Sequence, residues 1–152
     1  MGLIRLQSSS LPSGSVLQVV TGTLTSTSIT TTGRGIVDTG LSVNITPSSN
    51  TSKIYVTTSF NGGGDTNGNG GVFYLFRDST KIMTQGGDYT SAGGSSFGGH
   101  ALIMLDAPNT TSQITYKVRF ENQTDTFTAR FNTDYGYVTG EVATITAMEI
   151  AG

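Results

Sequence analysis

The chain of 152 residues has no cysteine and no tryptophan, only three prolines and one histidine, and a charged fraction of 12%. Without cysteine there are no disulfides, no thiolate nucleophile and no cysteine-ligated metal, and the redox compartment stays open. Eight Lys and Arg against ten Asp and Glu, a net charge of -2, give no broad basic field, so neither nucleic acid nor an anionic membrane surface is expected as a partner. No apolar run approaches the roughly 20 residues of a membrane helix. The opening Met1 to Leu6 lacks the apolar core of a signal peptide. Met1-Gly2 does not make a myristoylation signal, because Leu6 stands where Ser or Thr is required.

What is present is glycine, at 21 residues, together with abundant Thr and Ser and a strict two-residue rhythm. Leu41, Val43 and Ile45 alternate with Ser42 and Asn44, the pattern breaks at Pro47-Ser48-Ser49-Asn50, and it resumes as Ile54, Val56, Thr58 and Phe60. Successive side chains of an extended chain point to opposite faces, so this reads as strand, turn, strand. Proline cannot donate to a ladder and closes the first strand. Nine strands are expected, near residues 15–24, 36–46, 53–60, 71–77, 81–84, 100–105, 113–121, 126–131 and 141–150, and helix close to none. The spacing predicts an all-β, antiparallel β-sandwich of jelly-roll type. Residues 1–14 lack strand-length alternation and are expected to form an extended N-terminal arm, leaving 15–152 as one sandwich domain. Residues 21–33, a Thr and Ser tract without apolar rhythm, suggest an irregular or edge strand. The glycine-rich segments 61–71 and 86–99 are long for hairpin loops, and long ordered loops often carry function.

Tests for chemistry return little. Asp65-Thr66-Asn67-Gly68-Asn69-Gly70 resembles the first half of a calcium loop, but Phe76 stands where the bidentate glutamate belongs, so no metal is expected. Gly94-Ser95-Ser96-Phe97-Gly98 matches the nucleophile-elbow pattern, which needs a strand-to-helix turn and a distant histidine; the only histidine, His100, lies four residues after Ser96. The acidic residues are scattered and form no close pair framed by aromatics, as a glycosidase cleft would. No enzymatic activity and no cofactor are expected. The four Asn-x-Ser/Thr motifs, without an export signal, predict no glycan.

Aromatics are the stronger recognition candidates, since they supply large contact area with little rotamer entropy. The run Phe73-Tyr74-Leu75-Phe76 has no alternation, so Phe73, Tyr74 and Phe76 are candidates for a subunit interface, beside the alternative of a central sandwich strand. Asn67, Tyr89, Phe97, His100, Tyr135 and Tyr137, in or beside glycine-rich segments, are candidate ligand-loop residues.

Several segments occur in an order that resembles a family of bacteriophage virion proteins of aquatic and cyanobacterial phages. They are Leu11-Pro12-Ser13-Gly14-Ser15-Val16-Leu17-Gln18-Val19-Val20, Gly40-Leu41-Ser42-Val43-Asn44-Ile45-Thr46-Pro47-Ser48-Ser49, Ser52-Lys53-Ile54, Leu105-Asp106-Ala107-Pro108, Thr115-Tyr116-Lys117-Val118 and Ile145-Thr146-Ala147-Met148-Glu149-Ile150. The resemblance spans residues 11 to 152. It implies a β-sandwich, a homotrimer, and a place either at the distal end of a tail fibre or on the head, with no catalytic residues to transfer. Because Met1 lies only ten residues before the shared Leu11-Pro12 opening, with no long shaft, the expected role is a capsid decoration or cement protein made in the host cytoplasm. Its arm residues Leu3, Ile4, Leu6 and Leu11 would anchor it to the major capsid protein or another virion protein. The alternative role is a receptor-binding module of a tail or head fibre, contacting host glycans through its loops.

Overall fold

The computed structural model describes residues 11–25, 29–64, 71–87, 96–122, 128–132 and 142–152. These form eleven strands: β1 (Val16–Leu24), β2 (Ile29–Thr32), β3 (Val37–Ile45), β4 (Lys53–Gly64), β5 (Gly71–Arg77), β6 (Thr80–Gly86), β7 (Ser96–His100), β8 (Ile103–Asp106), β9 (Ile114–Asn122), β10 (Thr128–Phe131) and β11 (Ala143–Ile150). The all-β expectation holds. Two strands exceed the nine expected. β2 emerges from the Thr and Ser tract, where a four-residue edge strand needs no apolar rhythm. The expected strand at 100–105 starts four residues earlier, inside a segment assigned to loop, and is interrupted between β7 and β8. At that interruption the Thr58 hydroxyl takes the Leu102 amide at 2.8 Å, while the register against β4 is unchanged from Phe60↔His100 to Thr57↔Ile103.

The pairings are nested. β1 pairs with β11, β2 with β10, β3 with β9, β4 with both β7 and β8, and β5 with β6, all antiparallel. One long antiparallel hairpin rolled over on itself gives this order, which is the jelly roll. The roll makes a seven-stranded and a four-stranded sheet, the latter in the order β3-β9-β5-β6. In the larger sheet β4 is the spine. Its first half is flanked by β11 and β8, and its glycine-rich second half by β10 and β7.

Between the sheets lie Leu41, Val43 and Ile45 of β3, Ile54 and Val56 of β4, Leu75 of β5, Val118 of β9 and Ile145 of β11. An aromatic cluster fills the far half, with Phe60 4.7 Å from Phe131 and 5.0 Å from Phe73 between ring centres. Gly62 is its floor: a Cβ there would lie 2.5 Å from Phe73 Cζ. At the two-residue turn between β5 and β6, Asp78 takes a positive φ of 53°, its amide donates to Thr115 O at 2.8 Å, and its carboxylate accepts from Thr115 N at 2.9 Å. Among the described residues no helix is long and apolar enough to cross a membrane.

Candidate functional site

Of the residues singled out from sequence, Leu3, Ile4, Leu6, Asn67, Tyr89, Tyr135 and Tyr137 lie outside the described residues, as does the calcium-like segment 65–70. Leu11 is half-buried. Phe73 points into the sandwich core, so its burial is accounted for inside one chain. Tyr74 and Phe76 point to the opposite face and are each 5% exposed. Lys81 Nζ sits 4.7 Å above the Tyr74 ring and the Arg119 guanidinium 5.0 Å above that of Phe76. The Tyr74 hydroxyl donates to Glu121, and burial first, then that carboxylate, raises its pKa. The apolar run 73–76 is therefore divided between the core and a face roofed by the chain's own cations.

Phe97 is half-buried in β7. His100 is only 8% exposed. Its ring lies 4.6 Å from that of Phe73 and 5.7 Å from that of Phe60, and its Nε2 is 3.3 Å from Gly62 O. Expected beside a loop, it is part of the core wall. Ser96 opens a strand that leads to His100, whereas an elbow nucleophile needs a strand-to-helix turn.

The described carboxylates hold the sandwich together. Asp106 on β8 accepts from Arg77 Nη1 at 2.9 and 2.8 Å and from the Tyr116 hydroxyl at 2.6 Å. One acid thus ties the larger sheet to β5 and β9 of the smaller. Burial, followed by this hydrogen bond, raises the Tyr116 pKa. Asp38 faces Arg119 Nε at 3.4 Å and Lys117 Nζ at 3.9 Å. Glu149, 1% exposed, accepts from Ser48 N, Ser48 Oγ and Ser52 Oγ, each at 2.7 Å, and from Gln18 Nε2 at 2.6 Å. Burial works to raise its pKa, but these hydrogen bonds outweigh it and hold the carboxyl below its ordinary value. In the sequence Glu149 is one of the scattered acids. The usable signal was phase: it falls on the inward positions of β11 with Ala143, Ile145 and Ala147.

The two outer faces differ. That of the smaller sheet carries Asp38, Lys117, Arg119, Glu121 and Lys81 around Tyr74 and Phe76. That of the larger sheet carries Val16, Val19, Ile103 and Leu105, which are 52–53% exposed, and among the outward positions of β1, β11, β4 and β8 only Lys53, at one rim, is charged.

The two ends differ as well. At one end, here called the base, lie residues 11–15, the β3–β4, β5–β6 and β8–β9 connections, and residues 151–152. Gly14 N donates to Ala151 O and Ala151 N to Ser15 O, both at 2.8 Å. A cleft of about 350 Å³ opens there, lined by Leu17, Ser48, Ser49, Thr51, Ser52, Ala151 and Gly152. At the other end lie the strand ends joined by segments 65–70, 87–95 and 123–127, the first two of which fall within the glycine-rich stretches.

No family model matches the sequence, and no curated protein matches it. Among solved structures, similarity is found to one of infectious bursal disease virus, Gx strain, at 12% identity and a TM-score of 0.47, covering 100% of this chain and 43% of that one. A VP2 subviral particle of infectious bursal disease virus gives 12% identity and a TM-score of 0.46, covering 89% of this chain and 38% of that one. This chain spans less than half the length of those proteins.

Proposed function

We propose that this chain is a non-enzymatic structural protein of a phage virion surface, working as a homotrimer that decorates or cements the head by binding the major capsid protein. The observation that carries this reading is the polarity of the sandwich. The segment that precedes the domain leaves from the base, beside tight, hydrogen-bonded turns and an open cleft, while the strand ends flanking the glycine-rich segments lie at the opposite end. A base built this way suits a fixed contact with a shell, and the described carboxylates serve as cross-links rather than as a reactive pair. The ordered segments resembling phage virion proteins agree with it.

The mechanism is non-covalent clamping. Each trimer would bridge neighbouring capsid subunits, with apolar burial contributing about 25 cal/mol per Å² before the costs of ordering are met. Many such clamps add up over a shell.

The test is co-sedimentation of the purified protein with shells that lack it, together with its copy number per virion relative to the major capsid protein. Attachment that is lost on deleting residues 1–10 and weakened by Thr51→Arg at the base, with a copy number that scales with the shell, supports the reading. Full attachment by both variants removes the base from it, and a copy number of a handful moves the protein to a fibre.

A further inference from the structure

We infer that the outer face of the larger sheet is the surface through which the protein associates with further copies of itself. The inference gives the contact surface for the homotrimer proposed above and rests on that reading for the order of assembly, not for the surface.

The registers place outward residues in rows across four strands. Leu105 on β8, Tyr55 on β4, Met148 on β11 and Val19 on β1 stand side by side, through the pairs Tyr55↔Leu105, Met148↔Tyr55 and Val19↔Met148. Such a row is continuous, and both its ends are more than half exposed. In the adjacent row, the hydroxyls of Thr21 and Thr146 bond to each other at 3.1 Å, so only one hydroxyl proton of the pair needs an acceptor across a dry contact.

The absence of charge decides what covers the face. In a closed trimer one part of a face meets a different part of the neighbouring copy, and a charge on either side is desolvated at a cost unless an opposite charge stands across from it. A face with charge only at its rim, as here at Lys53, meets no such penalty. On the opposite face Asp38 pairs with Lys117 and Arg119, Glu121 accepts from the Tyr74 hydroxyl, and Lys81 lies over the Tyr74 ring. The central row is aliphatic and thioether surface around the Tyr55 ring, and the outward hydroxyls of Thr23, Thr57, Ser59 and Thr144 stand in the rows beside it.

Size agrees. Three strands of about eight residues and the four residues of β8, about 4.8 Å apart and about 3.3 Å per residue, make a face of roughly 440 Å². It supplies more than half of the roughly 800 Å² that each partner contributes to a standard interface, the rims adding the rest.

The experiment is the mass in solution of the full chain and of two variants, Leu105→Lys and Val19→Lys, by light scattering behind size exclusion, with circular dichroism to establish folding. Both positions are half exposed, so the substitutions leave the core intact. The expected result is a multiple of 15.8 kDa for the parent chain and single-chain mass for each folded variant. Lys81→Glu, on the opposite face, retains the parent's mass. A parent chain that stays monomeric at all concentrations overturns the inference, as does an assembly that survives both variants. Shell co-sedimentation reads the other proposal separately, because a monomer can attach to shells and an assembled protein can fail to.

Discussion

Glu149 shows how a buried charge is kept ionised by neutral groups alone. Four hydrogen bonds from Ser48, Ser52 and Gln18 converge on its carboxylate, tying the last strand to the β3–β4 turn and to β1. Because its folded pKa lies below the ordinary 4.5, the stabilisation it gives is present above that value and is lost as the pH falls through the lowered one. Glu149→Gln keeps the shape and removes the charge and one acceptor. It should cost about 1–3 kcal/mol at neutral pH, read by urea denaturation, with the difference from the parent closing in acid. A difference that is unchanged in acid would deny the carboxylate this role. On the alkaline side, Tyr74 and Tyr116 are held neutral by burial and by the acids they bond, so their contribution should fade as the pH rises above the ordinary phenol value of 10.0. Tyr116→Phe, which leaves Asp106 with Arg77 alone, should be less stable than the parent by about 1–2 kcal/mol and lose part of that alkaline sensitivity.

At the scale of elements, strands whose alternation has one apolar and one polar face were legible from sequence: β3, β4 up to Phe60, β9 and β11 lie within two residues of expectation. The misses have a common cause. β2, β7 and the last residues of β4 are built from Thr, Ser and Gly, which carry no hydropathy phase, and their pairing is decided by neighbours far along the chain. Glycine in β4 reads as loop, yet Gly62 is required because the Phe73 ring occupies the place of a side chain. The run Phe73-Tyr74-Leu75-Phe76 was legible as buried on both faces, but not that Lys81 and Arg119 would cover one of them, since cation–ring contacts depend on cross-strand register. The same register explains Gly22, where a Cβ would sit 2.0 Å from Ser42 O as β1 crosses close to β3. Gly62→Ala should destabilise by about 1–3 kcal/mol through overpacking. Gly22→Ala, opposed by backbone rather than by a movable ring, should cost more. Thermal denaturation that ranks them the other way would show that the β1–β3 approach yields more readily than the aromatic cluster.

For the whole molecule, the nested pairing makes nearly every strand contact distant in sequence, so the fold has high contact order and closes its outermost pair, β1 with β11, across almost the full chain. That pair and the neighbouring β4 and β8 also form the largely uncharged outer face inferred above to join copies. A surface buried between copies stabilises the folded state by mass action, and the stabilisation grows with concentration. The midpoint of thermal unfolding should therefore rise with protein concentration for the parent chain and stay constant for Leu105→Lys, whose midpoint should match that of the dilute parent. The exposed position of Leu105 makes this separation clean, because its substitution alters no core contact. A parent midpoint independent of concentration, or a variant midpoint that still climbs with it, would show that whatever holds the copies together does not pass through this face.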